Sequence, residues 1–221
     1  MSRRVMFMLP RSAALLAAGL LLAACAPATL PLRPGNAVTE AAQARRAQVL
    51  AQLPVWRASG RIGVSDGSHG GSGGFDWSQD GASIDFTLRA PITGRSFRLT
   101  SGPDGACLSG LKPQPVCAFD AAGLLRAELG WELPLAELRD WVLGVAAAGS
   151  PAQMAYGPDG LPAQLTQDGW VVQYRSWHAQ ARPVALPALI VAQRKPYSVR
   201  LYVEQWRFPG QPAVAASTAP R

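Results

Sequence analysis

From Val55 to Phe208 the chain repeatedly alternates apolar and polar positions, one residue at a time. Ile62 and Val64 interleave with Arg61 and Gly63, and Phe75 and Trp77 with Asp76 and Ser78. Ile84, Phe86 and Leu88 alternate strictly with Asp85, Thr87 and Arg89, and Phe97 and Leu99 with Ser96 and Arg98. A period of two sends successive side chains to opposite faces, so each run predicts an antiparallel strand with one buried and one wetted face. Further strands are predicted over 153–156, 162–167, 170–177, 187–193 and 198–208. Gly70-Gly71-Ser72-Gly73-Gly74, Asp80-Gly81, Gly102-Pro103-Asp104-Gly105 and Pro113 read as turns between strands.

Helical spacing interrupts this pattern three times. Thr39 is expected to cap a helix over 41–53, which Pro54 stops. Asp120 caps a second, carrying Leu124, Leu125 and Leu129 and closed by Gly130. Pro134 opens a third, whose stripe is Leu135, Leu138, Trp141, Val142 and Val145. No βαβ alternation occurs, so the expected fold is mainly β: about eleven antiparallel strands in one continuous meander. A sheet of that size curls, and about three helices with apolar stripes are expected to cover its concave side.

The N-terminus is of a different kind. Arg3, Arg4 and Arg11 precede or begin an unbroken apolar run over residues 13–24. That run suits a secretory signal and is shorter than the roughly 20 residues needed to span a bilayer. Leu22-Ala23-Ala24-Cys25 resembles a bacterial lipobox. The resemblance implies that residues 1–24 are a signal peptide and that Cys25 is lipidated on its thiol and its new amine. Several acyl chains hold a protein stably on a membrane where one chain does so only marginally. Ala26, in place of the aspartate that retains lipoproteins at the inner membrane, implies the outer membrane, facing the periplasm. Residues 25–36, with Pro27, Pro31 and Pro34, read as a tether. Residues 37–208 read as one domain, and the Ala/Pro-rich 209–221 as a disordered tail.

Composition removes several functions. The chain carries a net charge of +7, and losing the three signal arginines lowers it to +4. The remaining arginines are scattered among strands instead of forming a dense basic stripe, which argues against nucleic acid as a partner. His69 lies in a glycine-rich turn and His178 past a strand end, and both read as exposed loop residues. There is no nucleophile elbow, phosphate loop or metal-ligand spacing. The chain reads as a binding protein with no cofactor and no metal, not as an enzyme. Cys107 and Cys117 flank a turn at Lys112-Pro113-Gln114-Pro115, and in an oxidising compartment they are expected to form a local disulfide.

Seven tryptophans and a long apolar sheet face remain to be explained. The candidate ligand-lining residues are Ile62, Val64, Phe75, Trp77, Ile84, Phe86, Leu88, Phe97 and Leu99, with Leu138, Trp141 and Val142 from the third helix. Trp170, Val172, Val199, Leu201 and Val203 complete the set. Alternation alone leaves open whether these side chains fill a core or line a lipid cavity.

Short segments in a fixed order carry a resemblance over nearly all of the mature region. They are Trp56-Arg57-Ala58-Ser59-Gly60-Arg61-Ile62, Trp77-Ser78-Gln79, Gly130-Trp131-Glu132-Leu133-Pro134 and Leu138-Arg139-Asp140-Trp141-Val142-Leu143-Gly144. Leu165-Thr166-Gln167-Asp168-Gly169-Trp170-Val171-Val172, Leu186-Pro187 and Trp206 follow. With the lipobox, this set resembles the LolB family of outer-membrane lipoprotein receptors. The resemblance implies an open, incomplete β-barrel of eleven strands covered by three helices. It also implies a monomer that takes lipoproteins from a LolA-like periplasmic carrier, holds their acyl chains in a hydrophobic cavity and releases them into outer-membrane lipid, without ATP. Family members carry a Pro-Leu-Gly turn whose exposed leucine helps place cargo in the membrane. Here the turn is Pro91-Ile92-Thr93-Gly94. Ile92 takes the leucine's place, and Thr93 is an additional residue that alters the tip. A structural or lipid-binding envelope lipoprotein without transfer activity is the alternative.

Overall fold

The structure, a computed structural model, describes residues 31–89 and 96–210, and the backbone of 214–215. The signal peptide, Cys25, Ile92 and most of the segment after Gly210 lie outside the described residues.

The described strands form one antiparallel sheet. Strand β1 (Arg33–Pro34) is followed by helix α1 (Ala37–Ala51). Six strands come next: β2 (Val55–Ser65), β3 (Gly70–Asp80), β4 (Ser83–Arg89), β5 (Ser96–Gly102), β6 (Gly105–Ser109) and β7 (Val116–Ala118). Helices α2 (Ala121–Leu129) and α3 (Leu135–Val142) lead to β8 (Ala152–Tyr156), β9 (Pro162–Gln167), β10 (Trp170–His178), β11 (Leu186–Arg194) and β12 (Tyr197–Arg207). A two-residue β13 (Val214–Ala215) pairs with β12. Eleven of the described strands have three residues or more, the number expected from the pattern.

Their order is not the continuous meander expected. The sheet runs β1-β8-β9-β10-β11-β12-β2-β3-β4-β5-β6-β7, so two meanders are welded where β12 pairs with β2 over Ser198↔Ser65 to Arg207↔Arg57. This weld puts β7 at one edge and β8 with β1 at the other. The segment joining those edges carries α2 and α3. Sequence neighbours usually pair, and nothing in the alternation of β12 distinguishes β2 from any other partner.

One irregularity bends the weld. The register shifts between Val203 and Gln205, which face Gly60 and Ser59, leaving Glu204 as the extra residue of a β-bulge. A Cβ on Gly60 would collide with the carbonyl oxygen of Tyr202. Glycine is needed there because the two backbones approach so closely.

Three local expectations change. Gly70 to Gly74 form the first half of β3, paired from Ser65 to Arg61 of β2, and are not a turn. Burial at Gly73, Phe75, Trp77 and Gln79 continues the period of two, but glycine has no side chain to reveal it. Helix α1 begins four residues early. Asn36 is its N-cap and accepts from the backbone of Val38 and Thr39, while the Thr39 hydroxyl accepts from the Asn36 N–H in a capping box. Asn36 outcompetes Thr39 because both of its neighbouring donors and its own N–H are then satisfied. His178 ends β10, is buried, and its Nε2 lies 2.9 Å from the carbonyl oxygen of Val203. It is a core residue with a backbone partner, not an exposed loop residue.

The second and third helices follow the pattern. Asp120 caps α2 by accepting from Ala122 and Gly123, and Gly130 closes it in the left-handed region at φ 69°. Helix α3 buries Leu138, Trp141 and Val142. Cys107 and Cys117 are directly opposite across β6 and β7 and are joined by a disulfide.

Candidate functional site

The inner face of the sheet carries two buried clusters. The larger holds Trp56, Phe75, Trp141, Trp170, Val172, Leu186, Val203 and Trp206, with α3 packed into it. The smaller lies around α2 and holds Leu88, Phe97, Leu99, Ala106, Leu108, Leu124 and Leu125. Ile62, Phe86, Trp131, Leu133 and Leu135 pack against both. At this seam the packing is incomplete.

The seam holds an apolar, partly open cavity of about 50 Å³. The sheet contributes Ile62, Trp77, Ile84, Phe86, Phe97, Leu99, Val199 and Leu201. The helical segment contributes Leu125, Trp131, Leu133, Leu135 and Leu138. The indole N–H of Trp77 is drawn away from the cavity, donating to Gln79 Oε1 at 2.9 Å. Trp77 also meets Phe86 edge-on with centroids 5.9 Å apart, and Trp131 meets Phe97 likewise at 5.8 Å. Such edge-to-face contacts hold the rings at fixed angles instead of letting them collapse into the gap.

Nine of the candidate lining residues line this space: Ile62, Trp77, Ile84, Phe86, Phe97, Leu99, Val199 and Leu201 from the alternating strands and Leu138 from the helix stripe. The rest are placed elsewhere. Val64, Phe75, Trp141, Val142, Trp170, Val172 and Val203 belong to the large cluster, and Leu88 to the small one. Alternation assigns a residue to a face, whereas its distance from the seam along the strand depends on register. Leu125, Trp131, Leu133 and Leu135 were not among the candidates. Leu125 and Leu135 sit on helix stripes, and Trp131, Leu133 and Leu135 show apolar spacing of two in the connector, which is the signal that marks them.

The walls differ in how firmly they are held. Beyond the cavity, Gln167 ties the end of α3 to β9: its Oε1 accepts from Trp141 Nε1 at 2.8 Å and from the Ala147 N–H at 2.9 Å. Its Nε2 donates to the carbonyl oxygens of Ala147 and Ser150, at 2.8 and 3.1 Å. Tyr174 donates to the carbonyl oxygen of Trp141 at 3.0 Å, and burial pushes its phenol well above the usual tyrosine range. Arg46 of α1 is buried without a carboxylate. It donates to the carbonyl oxygens of Leu143, Gly144 (2.9 Å) and Ala185 (3.1 Å) and lies 4.8 Å from the ring centre of Trp177. Desolvation lowers its pKa to about 10. By contrast, the connector 130–134 is held by apolar packing, by backbone bonds from Gly130 and Trp131 back to α2, and by half-exposed ion pairs of Glu132 with Arg194 of β11 and Arg126 of α2.

The opposite face of the sheet is polar. A depression of about 580 Å³ there is lined mainly by Arg57, Asp76, Ser78, Asp85, Arg98 and Arg207. Arg98 is paired with Asp85 and Arg89 with Asp76. It is an open, charged surface unsuited to an apolar ligand. Among the described residues no group of three or more histidine, cysteine or acidic side chains converges as a metal site.

Residues 54–206 match the family described as Outer membrane lipoprotein LolB. Outer-membrane lipoprotein LolB of Xanthomonas campestris pv. campestris (strain B100) is 37% identical over 170 residues, covering 75% of this chain and 78% of that protein. The protein of the same name from Alkalilimnicola ehrlichii is 34% identical over 191 residues, covering 86% and 92%. Among solved structures, a DUF1329 family protein from Desulfovibrio piger ATCC 29098 superposes with a TM-score of 0.51 at 9% identity, over 78% of this chain and 92% of that one. That last likeness is one of fold. By its sequence relatives, the chain belongs to the LolB family of lipid-anchored outer-membrane lipoproteins.

Proposed function

We propose that this protein accepts lipoproteins from a LolA-like periplasmic carrier, holds their acyl chains at the seam cavity, and releases them into outer-membrane lipid. The observation that carries the reading is the cavity, lined by apolar side chains from both the sheet and the helical segment. An acyl chain is bound by the apolar area removed from water, about 25 cal/mol per Å², and asks for no specific polar partner. In this reading the step uses no cofactor and makes or breaks no covalent bond, and the chain acts as a receptor, not as a catalyst.

The cavity's size bears on mechanism. At about 50 Å³ it has room for a very few water molecules, far less than an acyl chain requires. On the receptor reading the cavity must widen to take cargo, which spreads the two clusters apart. The seam is where this costs least, because Ile62, Phe86, Trp131, Leu133 and Leu135 are only partly buried and the ion pair from the connector to the sheet, Glu132 with Arg194, is half-exposed and so weak. In this reading Cys25 carries the acyl anchor, and Ile92, which lies between β4 and β5 in the sequence, enters the bilayer during release.

The test is a transfer assay. Carrier loaded with labelled lipoprotein is mixed with the full chain in liposomes. Cargo passing to the chain and then to the liposome supports the receptor reading. Cargo staying on the carrier overturns it and leaves a structural or lipid-binding lipoprotein.

A further inference from the structure

A second space adjoins the seam cavity. A groove of about 380 Å³ opens to solvent between the N-terminal ends of α2 and α3 and the rim of β3 and β4. Ile84 and Leu135 line both spaces. These two side chains form the shared partition between the apolar cavity and the solvent-open groove. Both are only partly buried. The partition is braced from one side, where Gln79 of the groove accepts from Trp77 of the cavity and donates to the carbonyl oxygen of Gly81 at 2.9 Å.

At the lip of this groove stands Phe119, between β7 and the cap residue Asp120. It is 90% exposed, the most exposed large apolar side chain among the described residues. An aromatic ring in water has no packing to justify it, and its area, of order 150–250 Å², is available to a ligand. The groove is lined by both kinds of side chain: Asp120, Glu137 and Arg139 are charged, and Phe119, Pro134, Ile84 and Leu135 are apolar.

Resting on the receptor reading above, we propose that this groove is the portal through which acyl chains reach the cavity, with Phe119 as the first contact and Ile84 and Leu135 as the gate. The occupant is an acyl chain because the groove leads, through two aliphatic side chains only, into a space without polar partners. A chain laid against Phe119 displaces Leu135 with the start of α3, whose N-cap Pro134 makes no side-chain capping bond, while Trp141 and Gln167 hold the helix's other end. The helix thus pivots about its firm end instead of detaching.

Photocrosslinking in the full chain, in cells grown with alkyne-palmitate, tests this. p-Benzoylphenylalanine is placed at Phe119, at Trp131 in the cavity wall, and at Val38 on α1 as an exposed control. After tryptic digestion, which separates each probed site from the chain's own labelled Cys25, cross-linked peptides of a second protein that carry the alkyne are expected at Phe119 and Trp131 and absent at Val38. An adduct at Trp131 without one at Phe119 overturns the portal and leaves the receptor reading intact. Absence at Trp131 overturns the receptor reading and the portal with it. A Phe119 cross-link only to unlabelled peptides of a second protein also overturns the portal, since that lip would then dock a protein surface. Leu135→Trp, which enlarges the gate, is expected to keep the Phe119 adduct and cut the Trp131 adduct about tenfold. Ile84→Ala, which widens it without overpacking, should raise the Trp131 adduct about threefold. Trp131 yields unmoved by both substitutions overturn the gate.

Discussion

Gln167 on β9 and Trp141 on α3 are locked by a hydrogen bond of 2.8 Å in a site from which water is excluded. The same amide also satisfies both backbone groups of Ala147. Gln167→Leu would remove every one of these partners at once and leave buried donors and acceptors unpaired. At about 1–3 kcal/mol per unsatisfied group, partly relieved by relaxation, the expected loss is about 3 kcal/mol. Urea unfolding of the two proteins measures it, and a loss below about 1 kcal/mol would contradict the lock.

Arg46 makes a second tie, from α1 to Leu143, Gly144 and Ala185. Its planar fork serves three carbonyl oxygens while stacking on Trp177, an arrangement a lysine ammonium cannot reproduce. Arg46→Lys is expected to lose most of what Arg46→Ala loses, about 3 kcal/mol, because charge is kept but the fork is not. Equal stability of the lysine variant and the parent in urea would show that charge alone matters.

Filling the seam should separate stability from function. Val199→Ile adds one methylene to a residue facing the cavity. It should stabilise by up to about 0.8 kcal/mol, the value of one buried methylene. It should also slow cargo acceptance, because the space it fills is the space cargo needs. Paired urea and transfer measurements check this, and a variant that is more stable and equally fast would locate binding elsewhere.

Acid should expose one surface pair. The Arg98 guanidinium, by its hydrogen bond first and its charge second, holds the Asp85 carboxyl below its usual range against an opposing burial effect. A carboxyl with a depressed folded-state pKa stabilises above its unfolded value, near 4, and that contribution is lost as pH falls through the folded value. Because both side chains are largely exposed, the contribution is about 0.2–1 kcal/mol. The stability gap between the parent and Asp85→Asn should therefore be constant at neutral pH and shrink below about pH 4.

Delivery should depend on Ile92. Ile92→Glu places a charge where the receptor reading requires an apolar side chain to enter lipid, at a cost of order 2–3 kcal/mol or more. The variant should accept cargo from the carrier at the parent rate and fail to pass it to liposomes. Normal delivery would remove Ile92 from the mechanism.

The sequence by itself determined which side chains face inward and where most elements begin and end. Those properties are local: a period of two commits Ile84, Phe86 and Leu88 to one face, and Asp120 and Gly130 bracket α2 whatever surrounds it. Where a side chain is missing or two caps compete, the local signal fails, as at Gly70–Gly74 and at Asn36 and Thr39. The order of the strands and the identity of the cavity residues were decided only by tertiary structure. The pairing of β12 with β2 joins residues more than a hundred positions apart, and pairs with similar alternation compete equally in a linear reading. That weld brings Val199 and Leu201 opposite the helical segment and leaves Val172 and Val203 deep in the core. Whether an inward side chain packs or lines a void depends on how two clusters meet, and the meeting of surfaces is a property of the assembled sheet and helices, not of any segment.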